Sequence, residues 1–498
     1  MLFRSQPVSV LGEVSPTAML YDEASKIRMY DRTGEPSAMM HITGTHPPDF
    51  TSEGYVWPPA KLAEETQEAY EARLDALFRS AYKVNALRAT AVNDELVVTP
   101  TVSGSFFVGA KDFATRYNLP VFSIIADQDG LYNPETGIFM HQNLEERSGE
   151  LDVSAVVQFF EKDGSLQFDI PSRIRLNGGY TRRFPQKALR ILPNATLVYD
   201  LFDGAARDSQ GQVISSFDRF ILRTGGNNWG GSSTRDMFWQ DYCSQLGSMD
   251  IQATRPSVVF INGEFFGIYW ITERQDEYYI ESHFGVPRKD VAMVESFSAL
   301  QEGEYGDERE LVEMREFVMT NDMTKPENYA RFTTIMDVES FIDYFIVELY
   351  CGNADWPHNN LKMWKNRNTA STEHQKWRMM LWDVDFAFWS NGPDFDPLNW
   401  IMHEMDYPTA HMFRCLMDNP EFKKAFIGRF DELLETFFIP ERIIETHHKY
   451  SDMIRTAVPE HQRRWALDAN GFEDTINYVD GFINRRNDTI RASLDKIR

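Results

Sequence analysis

The hydrophobic pattern of this chain changes from strand-like to helix-like near residue 300, and that change limits the folds open to it. Residues 118–295 contain short apolar runs bounded by turn residues, among them LPVFSIIAD, AVVQFFEKDG, RIRLNGG, KALRIL and RFILRTG, which predict strands. Residues 307–498 instead repeat apolar side chains at helical spacing, through MDVESFIDYFIVELY, 421–436 and 475–495. The pattern predicts an α+β fold with two lobes, a β-rich lobe followed by a helical lobe.

Two local signals within the strand-rich region are specific. VVFINGEFFGIYWITE predicts a tight hairpin, because Asn262 and Gly263 suit the two positive-φ positions of a type I′ turn. STRDMFWQDYCSQLG predicts a helix capped by Ser233 or Thr234. The strand-rich region is therefore predicted to contain one tight hairpin and one helix.

Residues 6–109 form a further region, which is mostly strand-like. KIRMYD and NALRATAV predict strands, and one amphipathic helix places Tyr70, Leu74, Leu77 and Phe78 on a single face. KIRMYD together with VNALRATAVNDELVVTPTVSGSFFVG is similar to the small β-sandwich at the carboxyl end of chitobiases. That similarity implies a passive accessory module in front of the two lobes.

Composition excludes several kinds of partner. The chain has 498 residues, with 50 basic and 75 acidic side chains and a formal net charge of −25. An acidic surface repels nucleic acid and anionic membranes, so we expect neither as a partner. Apolar residues make up 42% of the chain, enough for a large core. No apolar run reaches the roughly 20 residues that a membrane-spanning helix needs.

The cysteines and the amino terminus constrain the compartment weakly. Cys243, Cys351 and Cys415 are few and widely spaced, so they predict neither a disulfide framework nor a zinc site. The amino terminus has no signal-peptide pattern, but we expect the native start to be missing. The protein would then be secreted or at the cell surface, and otherwise cytoplasmic.

Four oxygen-bearing side chains suggest a site for a hard cation. Asp355 follows an apolar helix, and Asn360 lies five residues later. A predicted strand over 376–381 then delivers Asp383 and Asp385, which alternation would place on one face. Carboxylate and amide oxygens are the ligands that hard divalent cations prefer, and such carboxylates repel each other unless a cation or basic group lies between them. The alternative is a set of separate loop carboxylates that cap turns or pair with arginines.

A basic stretch is the second feature of chemical interest. Residues 173–190, RIRLNGGYTRRFPQKALR, contain six cationic side chains and no acidic one. Glycines allow backbone amides to approach an anion, and the cations add charge, so the stretch predicts a phosphate cradle. The alternative is a hairpin whose arginines pair with surface carboxylates. The cradle residues would be Gly178, Gly179, Arg182, Arg183 and Lys187.

From Leu119 to about Phe388, and more loosely to the end, the chain resembles the spore coat protein H (CotH) kinases, an atypical branch of the protein-kinase-like fold. The resemblance rests on motifs in a fixed order: LPVFSIIAD, RLNGGYTRRFPQKALRI, LRTGGNNW before STRD, FINGEFFGIYWITERQDEYYI, NADWPHNN and LWDVDFAF. It implies a two-lobed kinase-like fold and transfer of the γ-phosphoryl group of ATP to Ser or Thr of a protein substrate, with Mg²⁺ or Mn²⁺.

The resemblance also implies roles for individual residues. Asp355 corresponds to the catalytic carboxylate, Asn360 and Asp383 to metal ligands, and Asp385 to a second or water-mediated ligand. The nucleotide side comprises residues less clearly matched. Lys187 is similar in position to the phosphate-anchoring lysine. Glu273 would contact the adenine edge, and the alternative is a surface ion pair with Arg274 or a neighbour. Arg235 would face the nucleotide, and the alternative is that Arg235 and Asp236 only cap a helix.

Several features depart from ordinary kinases. His-Arg-Asp and Asp-Phe-Gly are absent from the sequence, and residues 233–246 contain no glutamate, so the usual lysine–glutamate pair lacks a second member unless Asp236 or Asp241 serves. Two other functions stay open. One is a non-catalytic cell-surface or envelope scaffold with a carbohydrate-associated β-module, and the other is metal-dependent hydrolysis of a phosphoester.

Overall fold

The computed structural model describes residues 116–133, 135–140, 151–389 and 391–498, together with residues 61–70 and 72–73 and five short strands nearer the amino terminus. These strands are β1 Val10–Glu13, β2 Phe50–Ser52, β3 Tyr55–Trp57, β4 Asn85–Ala91 and β5 Val102–Phe106. β4 pairs with β1 and β5, and β2 pairs with β3. The strand predicted at NALRATAV is therefore confirmed as β4.

Other predictions for this region are only partly covered. KIRMYD, Leu74, Leu77 and Phe78 lie outside the described residues, whereas Tyr70 lies in helical structure, which the described residues show at 67–70 and 72–73. The similarity to a chitobiase module is not confirmed. β5 lies against the following part of the chain, where the backbone N–H of Ser105 donates to Gln158 Oε1 at 2.9 Å.

A closed seven-stranded barrel follows. Its strands are β6 Val121–Ala126, β7 Val153–Phe160, β8 Leu166–Leu176, β9 Leu189–Pro193, β12 Phe220–Arg223, β13 Thr254–Ile261 and β14 Glu264–Thr272, while β10 Leu197–Val198 and β11 Ser216–Phe217 form a separate pair. The barrel is antiparallel except between β6 and β13, and β9 pairs with β12 to close it. Asn262 and Gly263 have φ of 49° and 84° between β13 and β14, which confirms the predicted turn.

The helices lie mainly in the second half. They are α1 Gln128–Tyr132, α2 Arg235–Cys243, α3 Glu277–Phe284, α4 Arg309–Thr320, α5 Pro326–Ile335, α6 Val338–Cys351, α7 Pro397–Asn399, α8 Pro408–Met417, α9 Pro420–Thr436, α10 Pro440–Ile454, α11 Val458–Trp465 and α12 Gly471–Ile497. A four-stranded antiparallel sheet accompanies them, with β15 Val291–Glu295, β16 Ala299–Glu302, β17 Lys362–Asn366 and β18 Arg378–Met380.

Alternation along β14 shows how the barrel packs against the helices. All nine residues of β14 are buried. Tyr269 and Ile271 pack in the barrel core, whereas Ile268 and Trp270 belong to the core shared with the helices. Successive side chains of a strand point to opposite faces, so a strand covered on both faces is apolar throughout. The helical layer therefore lies directly against the barrel wall.

The structure confirms a mixed α+β fold and the main helices and strands. No helix in the described residues is long and apolar enough to cross a membrane. The predicted strand that delivers Asp383 and Asp385 is wrong in its last part, because β18 ends at Met380 and the following residues form loop and turn. The predicted helix over 233–247 is confirmed as α2, and Thr234 holds the predicted N-cap position, but its side chain makes no capping hydrogen bond. Asn228 Oδ1 instead accepts from the backbone N–H of Thr234 at 3.1 Å.

Candidate functional site

Three carboxylates surround one arginine where the barrel meets the helices. Arg223 Nη2 lies 2.9 Å from Asp236 Oδ2 and 3.6 Å from Asp385 Oδ2, and it also pairs with Asp383. Asp383 and Asp385 lie in the loop after β18. The sequence pattern required a cation or basic group between these carboxylates, and Arg223 is the basic group that the structure places there.

Different elements deliver the four side chains. Arg223 ends the barrel strand β12, and Asp236 lies in the first turn of α2. Asp236 Oδ1 accepts from the backbone N–H of Val384 at 3.1 Å and from Gln240 Nε2 at 2.8 Å. The carboxylate of α2 therefore fixes the backbone between the two loop carboxylates, and it also pairs with the barrel arginine.

The Gly225-Gly226-Asn227 turn packs closely against the carboxylate of Asp385. The backbone N–H of Asn227 donates to Asp385 Oδ2 at 2.7 Å. A Cβ atom at Gly226 would lie 1.8 Å from the same oxygen, and the φ of Gly226 is +57°, so steric and backbone requirements both favour glycine there. The LRTGGNNW motif is thus explained by close approach of backbone to a carboxylate.

The two loop carboxylates differ in exposure. Asp385 is 1% exposed, and burial, reinforced by the charge of Asp383, raises its pKa to about 8. Burial also raises the pKa of Asp236, against the opposing effect of Arg223. Asp383 is 32% exposed. It is therefore the carboxylate of the pair that a ligand can reach from solvent.

Asp355 lies in a second loop, immediately after α6. Asn359 Nδ2 and Asn360 Nδ2 donate to its two carboxylate oxygens at 2.9 and 3.0 Å, and His358 Nε2 lies 3.4 Å from Oδ1. The backbone N–H of Asp355 donates to Asn353 Oδ1 at 3.1 Å. These contacts hold the carboxylate in one orientation while leaving it 31% exposed.

The structure brings the two loops to the same end of α6. The backbone N–H of Phe388 donates to the carbonyl of Cys351 at 2.8 Å, which joins the Asp383 loop to the last residue of α6. Phe388 also stacks on Phe238 of α2, with ring centroids 5.6 Å apart. The buried Glu348 carboxyl interacts electrostatically with both Asp236 and Asp355. The acidic side chains predicted from separate motifs thus belong to one region.

Two of these residues adopt a backbone conformation that is uncommon for residues other than glycine. Asn360 and Asp383 both have φ of 56°. Asn and Asp tolerate the left-handed region better than other non-glycine residues, but the conformation persists only where surrounding contacts impose it. The carbonyl of Asn360 is held by the Tyr344 hydroxyl at 2.9 Å. Both residues that the resemblance implies as metal ligands therefore have a constrained backbone.

The donor set fits a magnesium-class cation. Asn360 uses its amide nitrogen on Asp355, which leaves the amide oxygen as the group for a cation. Asp383 offers the carboxylate oxygen that does not pair with Arg223. Mg²⁺ and Mn²⁺ bind such oxygen ligands together with water and phosphate. Asn360 and Asp383 are the residues that would hold the ion, and the predicted second ligand Asp385 is buried against Arg223.

The basic stretch comprises the end of β8, the loop after it and the start of β9. Lys187 is buried, and its Nζ donates to the carbonyls of Arg182 at 2.5 Å and Phe184 at 2.6 Å. Burial lowers the pKa of Lys187 well below its usual value. Arg183 lies over the ring of Tyr180. Gly178 has φ of +94°, and nothing lies within 4 Å of a Cβ atom at Gly179. Their phosphate-binding role stays a prediction.

Glu273 and Arg235 occupy interior positions. Glu273 Oε1 lies 2.8 Å from His283 Nε2, and its other oxygen accepts from the backbone N–H of Ala253 at 2.9 Å. A surface ion pair with Arg274 is therefore wrong, because Glu273 is buried and Arg274 pairs with Asp276. Arg235 is buried beneath Trp389, with Cζ 4.7 Å from the ring centroid, and interacts electrostatically with Asp385. Its role toward a nucleotide stays a prediction.

The sequence analysis missed Arg223, although it belongs to the LRTGGNNW motif. A single arginine in a strand carries no periodic signal, so only its place beside the two glycines distinguished it. Asn353 was likewise missed. Its Nδ2 donates to Glu348 Oε2 at 2.9 Å, so it connects the buried glutamate to the Asp355 loop.

Glu348→Gln should remove a pH dependence of stability. Burial raises the pKa of Glu348 from 4.5 to about 8. Between these values the folded state keeps a proton that the unfolded state releases, so this group makes the free energy of unfolding fall by about 1.4 kcal/mol per pH unit as pH rises. Urea denaturation across that range should show a smaller fall in the variant. Glu339→Gln, at an exposed position of α6, is the control, and an unchanged slope in Glu348→Gln contradicts the expectation.

Comparison with known families agrees with the arrangement of motifs. The family model described as CotH kinase protein matches residues 174–490, which is more than half of the chain. No curated protein matches the chain. The match includes the basic loop, the Arg223 cluster and the Asp355 loop, and on this basis the chain belongs to the CotH kinase protein family.

Proposed function

We propose that this protein is an ATP-dependent protein kinase of the CotH type, which transfers the γ-phosphoryl group to Ser or Thr of a protein substrate with Mg²⁺ or Mn²⁺. The observation that carries the proposal is the hydrogen bond from the backbone N–H of Phe388 to the carbonyl of Cys351, which ties the loop of Asp383 to the end of α6 that precedes Asp355 and Asn360. Phosphoryl transfer requires a carboxylate for the acceptor hydroxyl and oxygen ligands for a phosphate-bound cation. The family match supports kinase-like chemistry in general.

The proposal includes a two-lobed layout. The barrel would serve as the β-rich lobe, and the helices from α4 onward as the helical lobe. Arg223 comes from the barrel, whereas Asp355 and Asp383 come from loops of the helical half. A site assembled from both parts is the arrangement expected of a cleft that binds a nucleotide between lobes.

Each residue then has a defined task. Asp355, oriented by the two asparagine amides, accepts the proton of the acceptor hydroxyl. Asn360 and Asp383 hold the divalent cation, which supplies charge neutralisation for the phosphates. Arg223 holds Asp236 of α2 from the barrel side. In this proposal the Arg223–Asp236 pair links strand to helix, as the lysine–glutamate pair does in ordinary kinases, with Arg223 and not Lys187 as its basic member.

Asp355→Asn tests the assignment of the proton acceptor. The amide keeps the size of the carboxylate but cannot take a proton, so turnover should fall by about a hundredfold or more while ATP affinity changes little. Isothermal titration with ATP and Mn²⁺ measures ATP affinity, and transfer of the labelled phosphoryl group to a protein acceptor measures turnover. Asn359→Ala removes one orienting amide and keeps the carboxylate, so it should retain more turnover. Full turnover in Asp355→Asn excludes this role.

A non-catalytic scaffold is distinguished by ligand binding. A kinase should be stabilised by ATP with Mn²⁺, by about 2.7 kcal/mol when the ligand is at a hundred times its dissociation constant. A scaffold without a nucleotide site shows no such stabilisation in a thermal-shift measurement. Stabilisation without phosphate transfer to any protein of a source lysate would indicate a pseudokinase.

A further inference from the structure

A second group of metal-ligating side chains lies between α10 and α12, apart from the oxygen-rich loops. His447 Nδ1 is 3.0 Å from Asp480 Oδ1, and His448 Nε2 is 2.6 Å from Asp480 Oδ2. The three groups each offer one ligand atom, and these atoms lie within 4.8 Å of one another. Two adjacent histidines of one helix thus direct a ring nitrogen at a single carboxylate of another helix.

The ligand types differ from those of the kinase-like loops. Two imidazole nitrogens and a carboxylate oxygen suit Zn²⁺ and similar transition metals, whereas Asp355, Asn360 and Asp383 offer oxygen alone. Ligand atoms at zinc bond lengths of about 2.0–2.1 Å lie roughly 3.3 Å apart in a tetrahedron. The separations of 2.6 and 3.0 Å need only a small outward shift, which the exposed His448 side chain can make.

The surroundings allow an ion to enter from one side. The His447 side chain is 0% exposed, Asp480 is 20% exposed and His448 is 48% exposed. The three side chains thus run from the core to the solvent, and a water molecule can complete the coordination on the open side.

We propose that His447, His448 and Asp480 bind a divalent transition-metal ion of the zinc class, which fastens α10 to α12. The site is separate from the phosphotransfer cation and does not depend on the proposed kinase activity. Without an ion the three side chains form a hydrogen-bonded cluster, and the experiment below distinguishes the two states.

The position of the cluster gives an ion a structural effect. The ring of His447 packs against Phe238 of α2 with centroids 4.7 Å apart. Lys449 Nζ of α10 also lies 3.3 Å from Asp241 Oδ2 of α2. Because α2 carries Asp236, fixing α10 to α12 braces the helix that contributes to the Arg223 cluster.

The test is zinc binding by the tag-free full chain after treatment with a chelator. Equilibrium dialysis against Zn²⁺, with excess Mg²⁺ present to occupy oxygen sites, is followed by elemental analysis of the protein. The wild-type chain should retain one more zinc ion per chain than His448→Ala or Asp480→Asn. His411→Ala, which removes an exposed histidine of α8, should match the wild type. Circular dichroism checks that His448→Ala, altered at a half-exposed side chain, stays folded.

Thermal shift supplies a second readout. Zn²⁺ should raise the melting temperature of the wild type and of Asp383→Ala, but not that of His448→Ala. Equal zinc content and equal thermal shift in the wild type and His448→Ala would overturn the proposal, and so would a wild type that retains no zinc. Loss of the zinc effect in Asp383→Ala would overturn the separation of the two sites.

Discussion

Asp383→Ala should abolish metal-dependent consumption of ATP, with turnover reduced by about a thousandfold or more. Asp383 is the exposed carboxylate of the Arg223 cluster, and the variant removes the oxygen that would face the phosphate-bound cation. Arg223 keeps Asp236 and Asp385 as partners, so the fold should survive. Measurement of ATP consumption over a range of Mn²⁺ concentrations, alongside circular dichroism, checks both parts.

Asp394→Ala is the matched control for this prediction. Asp394 lies in the same half of the chain and pairs with Arg485, but both side chains are largely exposed. Its removal should leave turnover at the wild-type value, since an exposed ion pair contributes about 0–1 kcal/mol. Equal turnover in Asp383→Ala and Asp394→Ala would remove Asp383 from the metal site.

Arg223→Met should lower the free energy of unfolding by about 3–5 kcal/mol, more than any other substitution considered for this protein. The variant keeps the length of the side chain but leaves Asp236 and Asp385 buried without their shared cation. A buried pair broken on one side costs more than the pair contributes, because the remaining charge is uncompensated. Urea denaturation measures the change.

Two further variants test whether the loss of stability comes from the buried charges around Arg223. Arg485→Met removes an exposed arginine that also pairs with an aspartate, so its effect should stay within about 1 kcal/mol. Adding Asp236→Asn to Arg223→Met removes one of the stranded charges and should recover part of the loss. A loss no larger in Arg223→Met than in Arg485→Met would show that the cluster does not need its arginine.

The sequence singled out candidate site residues but did not predict how the elements that carry them pack together. Order and spacing singled out Asp355, Asn360 and Asp383, because polar side chains next to buried apolar segments are unusual. The relation between Asp383 and Asp385 was predicted from strand alternation. The left-handed φ of Asp383 invalidates that rule, yet both carboxylates contact Arg223. Local patterns cannot report a backbone conformation that distant contacts impose.

Non-local pairing was the other limit. The individual strands were recognisable, but closure of the sheet depends on the parallel pairing of β6 with β13 and on β9 with β12. Partners this far apart leave no trace in a window of ten or twenty residues. The capping hydrogen bond of α2 was missed for another reason, because the accepting Asn228 lies six residues before Thr234 and not at the N-cap position itself. The position of Glu273 was also not predicted. A charged residue at a strand end was expected near the surface, but Glu273 pairs with His283 in the interior.

Ring closure also has a practical consequence for expressing parts of this protein. The family match begins at residue 174, which lies inside β8, so a fragment cut at that boundary would lack β6, β7 and most of β8. Strands β13 and β9 would then each present an unpaired row of backbone groups, a template for intermolecular association. During synthesis, the ring likewise stays open until residue 272 has left the ribosome. Any shortened version should therefore begin before Val121.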